Sequence, residues 1–257
     1  LVEVDYVFHQ AAFVSVPLSI ENPDECFEIN AAGTVQLMSA AARAGVKRLV
    51  FASSAAVYGD NPQIPLQESA KLRPQSPYAV SKLVDELYKD LYTENFDLEV
   101  VALRYFNVFG PKQPPDSDYA AAIPIFFRRM MQDQEPVVYG DGGQSRDFIY
   151  VEDVARANVL AAVSEGAAGK VFNICSGIET SILDLIREIG EVLDKDLEII
   201  FEDPRPGDIY RSVGDPGSAG EILGFKPEFS LESGLRKTAE AIADLRSIND
   251  QDFLEST

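Results

Sequence analysis

Basic residues are scarce in this chain: 22 lysines and arginines stand against 42 aspartates and glutamates over 257 residues, a net charge of −20. A general nucleic-acid binder needs a basic surface to meet phosphates, and so does a protein held on anionic lipid, so the balance argues against both partners. Cysteine is nearly absent. Cys26 and Cys175 alone make no disulfide framework, which leaves a reducing cytoplasm as the default setting. Histidine occurs once, at His9, and no Cys/His cluster exists, which argues against a zinc site; no metal is expected. No apolar run reaches the ~18 residues of a membrane span. Residues 1–10 include Glu3 and Asp5 without a basic start, so no signal peptide is visible. The acidic surplus itself speaks mainly for solubility.

The hydrophobic fraction of 46% is that of a globular chain. Apolar runs with β-branched residues predict strands at 5–9, 48–52, 98–106, 136–139 and 171–174. Helical periodicity fills the intervals at 27–44 and 78–96, then 123–132, 151–163, 181–193 and 233–247. Ser76-Pro77 suits a helix start. Continuous apolar strands alternating with helices predict an α/β fold, a parallel sheet covered on both faces. Residues 1–110 are expected to form the sheet domain. Residues 111–257 are expected to form mainly a smaller lobe, with segments near 136–175 returning to the sheet. The helix from Tyr78 is apolar over a wide arc that includes Tyr88 and Tyr92, which fits either burial within the monomer or a helix-pair dimer interface.

Ligands of a parallel sheet bind beyond the carboxyl ends of its strands. Ser53-Ser54 and Tyr105 to Asn107 fall at such ends. Tyr78 and Lys82 are four apart on a helix, so both side chains leave one face. A phenol titrates near ~10, and a neighbouring ammonium favours the phenolate. Such a tyrosine takes a proton from an alcohol while hydride leaves the adjacent carbon, and a serine hydroxyl holds the same oxygen. The set predicts an alcohol–ketone redox site built around NAD.

The motifs in order are 5–12 (DYVFHQAA), Asn30 in 28–34 (EINAAGT), Ser53-Ser54 with Tyr58-Gly59, Tyr78 with Lys82, 103–111 (LRYFNVFGP), 145–151 (SRDFIYV) and 205–208 (RPGD). With them the sequence resembles the extended short-chain dehydrogenase/reductase family, in particular nucleotide-sugar 4-epimerases. The resemblance implies a Rossmann-type doubly wound sheet with a smaller α/β substrate-binding lobe, a UDP-sugar partner and a homodimer. Tyr78 would be the catalytic base, Lys82 would hold the nicotinamide ribose and tune Tyr78, and Ser54 would bond the reacting sugar oxygen. Ala11, Ala12, Asn30, Ser53 and Tyr105 would line the NAD site. Asn107 would touch the nucleotide sugar, Arg146 and Arg205 would grip the diphosphate, and Asp208 would bond the ribose. His9 is expected to pack at its strand end rather than act as an acid.

Two departures stand out. Ala56 occupies a position where many relatives carry a hydroxyl. No glycine-rich strand–turn–helix precedes the first strand, so the sheet is expected to be truncated in its N-terminal half. NAD binding by the chain as given is expected to be poor, and the first strand to be an exposed edge. After Ser54 come Ala55 and Ala56 rather than an acid, which favours epimerisation through a 4-keto sugar over dehydration or decarboxylation. By the resemblance, the residue four past Asp208 gates the sugar pocket. Ser212 is small there, which implies room for the N-acetyl group of UDP-N-acetylglucosamine and UDP-N-acetylgalactosamine. Dehydratase, decarboxylase and reductase activities of the same family remain alternatives, as do an inert fragment and a non-catalytic dinucleotide-binding protein.

Overall fold

The computed structural model describes residues 1, 3–113, 121–204 and 209–255, with side chains in the last helix described as far as Asp244. In chain order the elements begin with β1 (Tyr6–His9), α1 (Val16–Glu21) and α2 (Pro23–Phe27). A single wide π turn, Glu28–Ala32, joins α2 to α3 (Gly33–Arg43). Then come β2 (Arg48–Ser54), a 3₁₀ turn (Ala55–Tyr58), α4 (Pro77–Asn95), β3 (Glu99–Tyr105), β4 (Asn107–Phe109), α5 (Ala122–Met131) and β5 (Val137–Tyr139). The chain continues through β6 (Ser145–Arg146), β7 (Phe148–Tyr150), α6 (Val151–Val163), β8 (Val171–Ile174), β9 (Thr180–Ser181) and α7 (Ile182–Leu193). It closes with β10 (Ile200–Glu202), β11 (Arg211–Ser212), α8 (Gly217–Leu223) and α9 (Leu231–Glu255).

The five expected strands and the main helices are present within a few residues, α9 being longer than the periodicity suggested. The expected helix at 27–44 is present as the π turn and α3, continuous with α2 before it. The short strands β4, β6, β7, β9, β10 and β11 carry too few residues to show a period.

The main sheet has the order β1-β2-β3-β8, parallel throughout. Its central strands are buried on both faces: Leu49, Val50, Phe51, Val100, Val101, Ala102 and Leu103 have no exposed surface. One face packs on α3 and Tyr92 of α4, the other on α6 and α8. Strand β1 lies at the sheet edge, where Tyr6 and Phe8 are exposed. A second core gathers α5, α7 and α9 around Phe127, Met130, Leu185, Ile189 and Leu235. Between the two cores run the small sheets β4-β7 and β11-β6-β9, with β10-β5 beyond.

Helix α4 starts where the sequence places it. Pro77 occupies its first turn, and the Ser76 side chain accepts from Ala79 N at 3.1 Å, satisfying an otherwise unbonded amide. That start matters because Tyr78 lies in the first turn, at the level of the carboxyl ends of β2 and β3.

Candidate active site

The parallel register sets Ser53 beside Arg104 and Ser54 beside Tyr105. Successive side chains of a strand point to opposite faces, so these two pairs serve different surroundings. Ser54 points to the reactive side. Its hydroxyl caps the 3₁₀ turn by accepting from Ala56 N at 3.2 Å and approaches the Tyr78 phenol closely enough to favour the phenolate. Gly59 ends that turn at φ +60°, where a Cβ would sit 2.1 Å from the Arg73 carbonyl oxygen, so the return of the chain after Ser54 requires glycine.

Ser53 does not face the cofactor side, contrary to the expectation. It is buried, and its hydroxyl donates to Glu86 Oε1 at 2.5 Å. Glu86 also receives both arms of the Arg104 guanidinium, at 2.9 and 2.6 Å. Arg104 further donates to the Tyr58 hydroxyl at 2.8 Å, and Tyr58 to Asn173 Oδ1 at 2.6 Å. This buried network joins α4, β2, the 3₁₀ turn, β3 and β8 beneath the Ser54–Tyr78 pair.

Asn30 also takes a different place. It has no exposed surface, accepts from Phe13 N at 2.7 Å, and donates to Phe13 O at 3.1 Å and Ser81 Oγ at 3.0 Å. Its amide is used up tethering the loop that carries Ala11 and Ala12 to α4, so it shapes the cofactor side from below rather than lining it. The π turn is what directs this amide inward, in keeping with the association of such turns with functional sites. Ala11 itself is exposed at the end of β1. Tyr105 lies beside that loop: its hydroxyl donates to Gln10 Oε1 at 3.0 Å and accepts from Asn158 Nδ2 at 2.7 Å.

The Lys82 ammonium is not among the principal influences on the Tyr78 phenol. Burial is the largest influence and pushes the phenol up, and the Ser54 hydroxyl opposes this. The Lys82 ammonium, with a side chain 4% exposed, faces the Asp85 carboxylate at 3.9 Å instead. Burial pushes the Lys82 amine down, and Asp85 works against that. His9 packs at the end of β1 as expected, with its Nε2 2.9 Å from Thr34 Oγ1. Burial and then Lys82 hold its imidazole below the usual histidine range.

Beyond β3 a cleft of about 450 Å³ opens beside the second core, lined by Asn107, Phe109, Arg128, Tyr139, Arg146 and Phe148 among others. Two expected sugar-nucleotide contacts, Asn107 and Arg146, are therefore on one wall system. Ser212 pairs in register with Arg146 through β11 and β6. Asp147 fixes that segment: fully buried, it accepts from Ser176 N and Oγ at 2.7 Å each, from Gly177 N at 2.9 Å and from Gly214 N at 3.3 Å. Arg205 and Asp208 lie outside the described residues. The cleft does not include Ser54 or Tyr78; Asn107, two residues past Tyr105, is the link between them.

The donor set fits the nicotinamide half of NAD. A phenol, a serine hydroxyl and a buried ammonium converge at the carboxyl end of a parallel sheet, next to the exposed loop at Ala11. Among the described residues, no glycine-rich helix start near β1 offers a pyrophosphate cradle. Among the same residues no trio of His, Cys, Asp or Glu is placed to hold a metal.

Comparison with known proteins gives the same answer in two ways. The chain is similar to a UDP-glucose 4-epimerase of Mycolicibacterium smegmatis, 37% identical over 92% of this chain and 75% of that one. Among solved structures it is similar to a UDP-N-acetylglucosamine 4-epimerase from Methanobrevibacter ruminantium in complex with UDP-N-acetylmuramic acid. That match has a TM-score of 0.92 and 43% identity, covering 95% of this chain and 78% of that one. It is also similar to a Thermus thermophilus UDP-glucose 4-epimerase in complex with NAD, with a TM-score of 0.85 and 35% identity over 93% of this chain and 78% of that one. A family model matches residues 1–175, and the chain belongs to the NAD dependent epimerase/dehydratase family.

Proposed function

We propose that this chain carries the proton-transfer and sugar-holding parts of a nucleotide-sugar 4-epimerase, with UDP-N-acetylglucosamine and UDP-N-acetylgalactosamine as its substrate pair. The observation that carries the reading is the approach of the Ser54 hydroxyl, at the end of β2, to the Tyr78 phenol in the first turn of α4, one helical turn from Lys82. NAD, when bound, supplies the acceptor and donor for the C4 hydride. Tyr78 takes the proton of the C4 hydroxyl and later returns it. Ser54 holds that oxygen in place throughout, and Lys82 supplies the fixed positive charge behind the phenol.

Arg146 and Asn107 on the cleft wall anchor the diphosphate end while the sugar turns over. A guanidinium suits this because its fork meets two phosphate oxygens. Arg205 and Asp208 are assigned to the same end by their motif. The absence of an acid at Ala55 and Ala56 favours return of the hydride without elimination of water.

The test uses the full-length protein with NAD and UDP-N-acetylglucosamine, and separates products by chromatography. Formation of the galacto epimer is expected. A stable 4-keto product, or net reduction of NAD to NADH, would overturn the assignment in favour of another family reaction. Ser212→Tyr narrows the gate and is expected to lower kcat/KM for the N-acetyl substrate by roughly 10- to 100-fold, with UDP-glucose turnover little changed. Equal loss for both sugars would refute the gate.

A homodimer completes the proposal. Val80, Leu87 and Leu91 form one exposed apolar stripe on α4, with Tyr88 beside it and Phe27 and Ile29 exposed on the adjoining helix. Tyr92, by contrast, is buried against Phe96. Light scattering is expected to give twice the chain mass, and a monomer at micromolar concentration would contradict it.

A further inference from the structure

The partner of the Lys82 ammonium is itself wholly enclosed beside the site. Asp85 lies on α4 with no exposed surface, and neither carboxylate oxygen accepts a hydrogen bond of proper distance and angle. The Thr34 hydroxyl approaches closely enough to favour its charged form, but its geometrically sound bond is the one to His9. The cation facing Asp85 is Lys82, Oδ2 to Nζ 3.9 Å, at 0% and 4% side-chain exposure. A buried charge of either sign is costly alone, and removing one member of such a pair strands the other.

We propose that Asp85 is a positioning residue whose carboxylate is the counter-charge that keeps the buried Lys82 ammonium protonated and in place behind Tyr78. It rests on the reading of Lys82 as part of the proton-handling set, and Asp85 itself touches neither sugar nor cofactor.

The surroundings leave the two to each other. Lys82 faces Asp85, the Cys26 thiol from α2 and the His9 imidazole from β1. Burial pushes the thiol up and the imidazole down, so both are neutral near pH 7. Asp85 faces Lys82, Glu86 and the Tyr78 phenol, all on α4, and Thr34 from α3. The Glu86 carboxylate is engaged by Arg104 and repels Asp85. Burial pushes the Asp85 carboxyl up to about 7, against the pull of Lys82. Its folded value is thus raised above that of the unfolded chain. The stability linked to this proton is fully present below about pH 4 and is lost as pH rises through about 7. Above about pH 7 the Asp85 carboxyl is ionised and supplies the counter-charge to the Lys82 ammonium.

The experiment follows the 13Cε resonance of Lys82 with pH in the folded chain, assigned by its loss in Lys82→Met, with no substrate present. Asp85→Asn is expected to lower the Lys82 midpoint by about one pH unit or more, and Asp85→Glu to restore most of it. In the full-length enzyme the matching limb of kcat/KM against pH should move with it. A residue with a merely structural role would change thermal stability and leave the Lys82 midpoint where it is, and that result overturns the proposal. Should Asp85→Asn fail to fold, the reciprocal measurement decides. Linkage requires the Asp85 carboxyl to titrate higher in Lys82→Met by the same amount, and an unmoved carboxyl refutes the pairing. Because these titrations need no turnover, they stand or fall separately from the substrate assignment.

Discussion

Tyr78→Phe is expected to lower turnover by roughly 10²- to 10⁴-fold, the range a positioned acid–base group contributes. The aromatic ring keeps its place in the first turn of α4, so binding of the sugar nucleotide, measured by calorimetry, should stay within about two-fold, since only one of its hydrogen bonds is removed. The expectation is sharpened by the state of the phenol. Burial holds it above the ordinary tyrosine value, with Ser54 alone among the principal influences pulling it down. The positive nicotinamide ring, when bound, would favour release of this proton. Unchanged turnover in the phenylalanine variant would remove the base from the mechanism altogether.

The second large effect is on stability. Arg104→Met is expected to destabilise the fold by about 3–5 kcal/mol, the cost of stranding one member of a buried ion pair. Arg104 and Glu86 have side chains 4% and 5% exposed and meet through two hydrogen bonds. Removing the guanidinium leaves Glu86 charged and enclosed, and deprives the Tyr58 hydroxyl and the Glu68 carbonyl of a donor. The double change Glu86→Leu with Arg104→Met should recover most of the loss, because no charge is then left unpaired. Urea denaturation of the two single variants and the double one measures the coupling directly. Additive losses would mean that the pair does not act as a unit.

Much of the site was legible because its residues obey simple spacing. Tyr78 and Lys82 stand one helical turn apart, and Ser54 ends an apolar run, so chemistry and position coincide in the sequence. Glu86 continues the same face at a further four residues and could have been found that way; a buried acid there asks for a buried base, which Arg104 in the Leu-Arg-Tyr stretch supplies. What spacing could not settle was which of two adjacent serines faces the reactive side. The pleat decides that, and the pleat is fixed by the register of β2 on β3. The tie from Asn30 to the Phe13 backbone was hidden for a related reason: a polar residue inside a helical segment does not show which loop it holds. Arg128 gave no signal beyond a basic pair at the end of an apolar helix, and its place on the cleft wall comes from how α5 packs in the second core. The short strands around Arg146 and Ser212 are two residues each, below any length at which a period exists.

The wide turn at Glu28–Ala32 also accounts for a rhythm. Cys26, Asn30, Thr34 and Met38 are all buried and recur every fourth residue. On an ideal α-helix each such step overshoots by about 40°, so three steps would swing the last side chain about a third of the way round the axis, out of the interior. A locally unwound turn absorbs part of that drift. The cadence of four and the loosened coil thus require one another, and the helix keeps a single wet side and a single dry side from Pro23 to Arg43.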